Sequence, residues 1–430
     1  MRRLRLVKTD FTAGELDPLL LAREDIKAYA KGVARLRNYT QLDSGAIRRR
    51  PGSKFIDDLY DGTILKPFAF GQSQDYVFGF SDTRVDIYNA STEVLATSLT
   101  GAPWTSSQLD RLYPAQSADT MVVCHPDLAM QKILRTGASS FTRTAFTFEE
   151  NSAGTVRYQP YYKFADDAVT ITPSGVTGSV TLTASSAVFS SSHNGTIFRY
   201  KEKEILITAY TDTTHLTGTI REQLPGNITA VDTTAETLTV TDHSYVTGEA
   251  TTYTSGGSLI AGLTSATVYY IIKVDANTVK LATSAANAIA GTAINLTGTG
   301  NGTLLGSVDW EEPVFSPVRG YANTAIFHEG RLWFLGTKSL PSHVFGSKTD
   351  AFFNFDLGTG LADESIQVAI RSEQIGEIRG AASLRHLQIY TDQGEFYAPS
   401  SESRPLTPET FSVKVQTRYG SGYVTPKPFD

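Results

Sequence analysis

One cysteine (Cys124), three methionines and no long apolar run: each of these shortages removes a class of protein. A single cysteine excludes an internal disulfide framework and a cysteine-rich zinc site. No apolar stretch approaches the roughly 18 residues that a membrane-spanning helix needs. Arg2, Arg3 and Arg5 look like the opening of a signal peptide, yet Lys8 and Asp10 arrive before any apolar segment, which argues against secretion by that route. The seven histidines include no H-x-x-x-H or H-E-x-x-H pair, so zinc has no anchor. No cofactor is expected.

What is abundant points to strands. Tyr 20 and Phe 22, with frequent Thr and Val, favour sheet over helix. Hydrophobic content of 40% and charged content of 19% are globular values. A chain of 430 residues exceeds the size of one core and implies several domains. The net charge of −6 conceals an asymmetry: residues 1–52 carry 12 Lys/Arg against 6 Asp/Glu, and everything after them is net −12. A basic arm on an acidic body suits docking onto an acidic neighbour, a second copy included, while a merely solvated terminus fits composition equally well.

Residues 10–52 hold an extended arm, a helix and a basic turn with little apolar surface to bury. Asp17 and Pro18 fit a helix N-cap and first position. Asp25 is expected to open the main helix, with Ile26, Tyr29, Val33 and Leu36 near helical spacing to about residue 37. After Lys54 the chain reads as short strands. Four stretches repeat one pattern of strand, polar turn, apolar strand, turn and strand: 64–88, 112–134, 324–347 and 380–397. Antiparallel cassettes of this kind suit propeller blades, with a β-sandwich as the alternative. Between the second and third cassettes lie two small β-units, the second with a hairpin at 268–282 and no charge from Leu281 to Val308. The expected architecture is therefore mainly β. A docking arm with a short helix (1–52) precedes a propeller-like body in two parts (53–167 and 308–430), interrupted by inserted β-domains at 168–226 and 227–307. After Gly422 no strand is expected to return and close the body.

Catalytic constellations are weak. Cys124 and His125 are strand neighbours that point to opposite faces, which reads as a core cysteine beside a surface histidine. Gly298, Gly300 and Gly302 are followed by no lysine and read as a flexible turn. Asp57–Asp58, Asp166–Asp167 and Glu311–Glu312 read as surface acids, since adjacency in sequence is not active-site geometry. No enzyme is expected.

Phe11-Thr12-Ala13-Gly14-Glu15, Arg23 and Arg49-Arg50-Pro51-Gly52 resemble a family of tail proteins from short-tailed bacteriophages. The resemblance resumes at Phe327-His328-Glu329-Gly330-Arg331-Leu332-Trp333-Phe334 and continues through Gly346-Ser347-Lys348-Thr349 to Phe352-Phe353-Asn354-Phe355. Residues 304–320, with Trp310-Glu311-Glu312, look like the family's junction back into the body. Residues 227–307 are similar to a β-module inserted into many phage virion proteins. The resemblance implies a virion protein made in the host cytoplasm: a six-fold ring, the tail nozzle, below the portal and its adaptor ring, through which genomic DNA passes without specific binding. The expected interface residues are Phe11, Gly14, Glu15, Arg23, Arg48, Arg49, Arg50, Pro51 and Gly52. The three arginines are expected to pair with carboxylates of a neighbour rather than with DNA phosphates, whose contacts would hold the DNA back. A solvated turn is the third option. Relatives run past the equivalent of Tyr419–Gly422. Either a second tail chain supplies the remaining blades by pairing after residue 422, which an exposed sheet edge favours, or the propeller stays open. The rival function is host-glycan binding by the inserts at 168–307, with Tyr269 and Tyr270 as compatible residues. A capsule-cutting enzyme is third.

Overall fold

The computed structural model describes residues 7–71, 74–371, 376–401 and 405–427. Arg2, Arg3, Arg5 and the segment Pro428–Asp430 lie outside the described residues. The chain divides into two compact units, Met1–Asp58 and Leu59–Asp430.

In the first unit Leu16 is the only buried apolar side chain among the described residues. Its elements are short: strand Gly14–Glu15, a 3-10 turn at Pro18–Leu20, helix Lys27–Lys31 and a hairpin of Tyr39–Gln41 with Ile47–Arg49. Asp17 caps the first turn, its carboxylate accepting from Leu19 N at 2.7 Å, with Pro18 in the first position as the sequence indicates. The helix is shorter than its spacing suggests. Asp25 does not cap it, because Arg23 takes both carboxylate oxygens at 2.8 and 2.7 Å. It stops at Gly32, which turns extended and pairs in parallel with Gly14. A Cβ there would stand 2.4 Å from Leu16 Cγ, so only glycine allows this approach.

The second unit contains four four-stranded antiparallel meanders. They comprise Ile64–Gly71 to Val94–Thr100, Tyr113–Ser117 to Ser140–Ala145, Thr324–His328 to Ile366–Ala369, and Ile378–Ser383 to Lys414–Thr417. Each cassette seen in the sequence supplies the first three strands of one sheet. The sheets pack face to face in chain order, as blades do. Phe68, Phe78 and Val85 of the first meet Met121, Val123 and Phe141 of the second. Val122 and Cys124, on the other face of the same second-sheet strand, meet Leu332 and Phe334 of the third. Trp333 and Leu335 then face Ile389 and Phe396 of the fourth. Because both faces of Thr120–His125 and Arg331–Leu335 are covered, those strands are apolar without alternation. The first sheet covers one face only: Tyr76, Phe78 and Phe80 point inward, while Leu65 and Leu95 on the opposite face are 52% and 44% exposed. This body is propeller-like.

The two inserted units leave and rejoin the body through one ribbon, Tyr161–Tyr162 paired with Glu312–Pro313. The first is a five-stranded sheet within 171–220, and the second a seven-stranded sheet within 227–305. The second unit also holds a short helix, Ala285–Ile289, that periodicity does not reveal; Ser284 caps it by accepting from Asn287 N at 3.1 Å. Gly300 and Gly302 are not a flexible turn. A Cβ on either would lie 2.6 Å from Ser258 O or 2.3 Å from Thr254 O, so both are needed for close packing. The two inserts are clasped together. Tyr200 Oη donates to Gly306 O at 2.7 Å, Lys203 pairs with Asp242 at 3.1 Å, and Lys201 pairs with Glu249 while lying 4.0 Å from the Tyr245 ring centre.

Candidate functional site

The arm residues singled out in the sequence split into two groups. Phe11, Gly14 and Glu15 hold the first unit together. Phe11 N donates to Gly45 O at 2.8 Å, Gly14 is buried with φ +62° and Glu15 Oε2 accepts from Leu36 N at 2.7 Å. Asp10 adds an ion pair with Lys31 at 3.0 Å, and the amide of Thr12 followed by Lys31 lowers its carboxyl to about 2. Arg23, Arg48, Arg49, Arg50, Pro51 and Gly52 are all exposed. The arginine run is not a turn: Arg48 and Arg49 stand on a strand opposite Thr40 and Tyr39, so those two point to opposite faces. No carboxylate among the described residues pairs with any of the three. Nearby apolar side chains are also uncovered, with Leu19 88%, Phe55 73% and Ile56 53% exposed.

The second resemblance motif is structural. Glu329 and Gly330 form a hairpin turn with φ of +47° and +68°. Arg331 is 2% exposed and donates to the carbonyls of Ser347, Glu364 and Ala362, pinning the loop that precedes the last strand of the third sheet. Burial lowers its pKa, yet an arginine stays charged.

Two readings of reactive groups change, those of His125 and Glu312, while Cys124 lies in the core as the sequence indicates. His125 is not on the surface; it is 3% exposed and its Nδ1 accepts from Asp127 N at 3.1 Å. Cys124 is fully buried, and burial alone pushes its thiol pKa far up, so it is no nucleophile. Glu312 is not a surface acid either. It is 2% exposed and takes both Nε and Nη2 of Arg319 at 2.8 Å, with His193 Nε2 3.4 Å away. Glu311 pairs with Arg199 at 2.9 Å, whereas Asp57, Asp58, Asp166 and Asp167 are exposed. Trp310, in the junction, is buried against Phe198. Tyr269 Oη accepts from Thr264 N at 2.7 Å and packs inside the second insert. Among the described residues no group of three or more His, Cys, Asp or Glu could hold a metal ion.

Sequence reasoning missed a cleft of about 550 Å³ beside the root of the inserts. Phe146, Phe148, Phe315 and Tyr321 wall it, and Glu150, Arg157 and Gln159 edge it. Phe148 lies parallel to Phe315 at 6.1 Å and edge-on to Phe146 at 5.2 Å. One side is a stiff loop: Asn151 Oδ1 accepts from Thr155 N and Val156 N, and Tyr158 N donates to Glu149 O at 2.9 Å. Arg157 and Arg221 both pair with Glu150, at 2.8 and 3.1 Å. Burial would raise the Glu150 pKa, but the two guanidinium groups outweigh it and lower it. The alternation Phe146-Thr147-Phe148 was the one local hint, and Phe315 lies far away in sequence.

No family model and no curated protein matches this chain. Among solved structures, the β-propeller domain of Cps50 (Swd1) from Myceliophteria thermophila is 10% identical, with 83% of this chain and 90% of that one covered and a TM-score of 0.22. Apo AztD from Citrobacter koseri is 9% identical over 81% and 82%, with a TM-score of 0.21. Likenesses at this level carry no argument. The body is propeller-like by its strand order and its three successive inter-sheet cores.

Proposed function

We propose that the chain is a non-enzymatic virion component: a subunit of a ring-shaped tail nozzle that extends the DNA channel below the portal adaptor of a short-tailed phage. The observation that carries the reading is the first unit. Among its described residues it buries one apolar side chain, Leu16, and leaves Leu19, Phe55, Ile56 and three arginines uncovered, which is the character of a segment completed by its neighbours. The residues of the resemblance fall in this unit, in the second insert, in the junction at 304–320, and in the third sheet with its connecting loop. On this reading the arm joins adjacent copies, six of them, or the adaptor ring. Arg48, Arg49 and Arg50 meet carboxylates there, the acidic body faces passing DNA without holding it, and a second tail chain packs beside the open sheets. Deletion of residues 1–52 tests the proposal. Tails assembled with the shortened protein should lack it while residues 59–430 stay folded, and normal incorporation would remove the arm from the interface. A cryo-EM map of the tail with this chain off the channel axis would reject the ring.

A further inference from the structure

The cleft beside the insert root has a chemistry of its own, independent of how the chain assembles. Its floor is aromatic, and Phe148 and Tyr321 are each only partly covered. Its polar rim has unused capacity. Tyr321 Oη has no hydrogen-bond partner among the described residues, and burial alone raises its pKa. Gln159 is 8% exposed; its Nε2 donates to Tyr161 Oη at 3.0 Å, and its Oε1 has no partner among the described residues. The charges at the rim are already balanced. Arg157 and Arg221 are taken by Glu150 and Glu204, the latter pair at 2.7 Å, so there is no spare cation for an anionic ligand and no spare carboxylate for a cation.

We propose that this cleft binds a neutral pyranose unit of a glycan, its C–H face on Phe148 and Tyr321 and its hydroxyls on Tyr321 Oη, Gln159 Oε1 and the Glu150–Arg157 pair. A hexose has both things the cleft offers to meet: an apolar face for the rings, and hydroxyls that donate and accept around its edge. A wholly apolar ligand would cover the Tyr321 hydroxyl and the Gln159 oxygen without giving either a partner, at the cost of their hydrogen bonds to water. The cleft is within the size range of small-ligand sites, and the braced 149–158 loop holds its rim in place before binding. Glycan recognition is thereby placed on the body rather than on the inserts.

The test is saturation-transfer NMR of the full chain with methyl glycosides of glucose, galactose, mannose, rhamnose and N-acetylglucosamine. Transfer to the ring protons of at least one is expected. Tyr321→Phe keeps the ring and removes the hydroxyl, and should weaken that glycoside roughly three- to tenfold. Phe148→Leu should abolish transfer, with an unchanged circular dichroism spectrum for both variants. If Phe148→Leu does not fold, Tyr321→Phe decides. The proposal is overturned if no neutral glycoside receives saturation, if the signal is the same in Tyr321→Phe, or if methyl glucuronide binds better than every neutral sugar. Displacement of the sugar by N-acetyltryptophanamide at lower concentration would make the cleft a seat for a protein side chain, and would overturn it too.

Discussion

Tyr113, on the first strand of the second sheet, donates its hydroxyl to Ala381 O at 2.8 Å and accepts from Ala381 N at 3.2 Å on the first strand of the fourth. One phenol thus satisfies both backbone groups of a residue on the free edge of that strand and joins sheets that are not neighbours in sequence. Burial, offset in part by the Ala381 contact, pushes its pKa up to about 12. Tyr113→Phe should lower the unfolding free energy by about 1–3 kcal/mol, because the Ala381 groups lose their partner inside the protein. Denaturant titration checks this.

Lys201 and Glu249 clasp the two inserts with side chains only 8% and 15% exposed. Burial lowers the Lys201 pKa despite its partner. Glu249→Gln should destabilise by about 3–5 kcal/mol, since it leaves an unpaired charge out of water. The double variant Lys201→Met with Glu249→Leu should recover most of that loss. A double-mutant cycle by thermal unfolding measures the coupling.

Glu312 supplies a pH dependence. Burial raises its pKa, but His193 and Arg319 outweigh burial and hold it below the usual glutamate range. The folded state therefore favours the ionised carboxylate. Its stabilisation is complete above the unfolded glutamate value of 4.5 and is lost as pH falls through the lower folded value. Glu312→Gln should be less stable than the parent at neutral pH, and the gap should narrow on acidification below 4.5. A gap that stays constant with pH would show that the ion pair does not contribute.

Much of the architecture was legible in the sequence, and what was not has physical reasons. Central strands such as Met121–Val123 and Leu332–Leu335 announce themselves because both faces are buried. The fourth strand of each sheet did not. Ser140–Ala145 and Lys414–Thr417 are edge strands with mostly uncovered side chains, so burial leaves little pattern in them. Ile26, Tyr29, Val33 and Leu36 have helical spacing, yet Gly32 is required against Leu16 and ends the helix. Burial of Glu312 and His125 depends on Arg319 and on the Asp127 amide, which turn spacing does not disclose. The aromatic cleft draws Phe148 and Phe315 from either side of the inserts, beyond the reach of any local window.

Cys124 is a reporter of unfolding. With the thiol fully buried and its pKa far above the ordinary range, a thiol reagent should leave the native protein unmodified for as long as it stays folded. Modification should follow the global transition in urea. Rapid labelling without denaturant would mean that the second and third sheets separate on their own.

Gly300→Ala should destabilise the second insert by at least about 1–3 kcal/mol, because the new methyl meets Ser258 O and Ile260 N, both backbone atoms with little room to shift. Gly52→Ala, with nothing within 4 Å, serves as the control and should leave the melting temperature unchanged.

The ribbon of Tyr161–Tyr162 and Glu312–Pro313 also sets a schedule. On the ribosome, Val122 and Cys124 emerge well before Leu332 and Phe334, the residues that cover them. The separation is roughly 200 residues, which at ordinary elongation rates is on the order of 10–40 s. For that interval one face of the second sheet is an uncovered apolar surface, while the inserts, whose strands pair within themselves, are free to fold first. Production of this protein should therefore be more sensitive to chaperone supply and growth temperature than the stability of the finished molecule suggests.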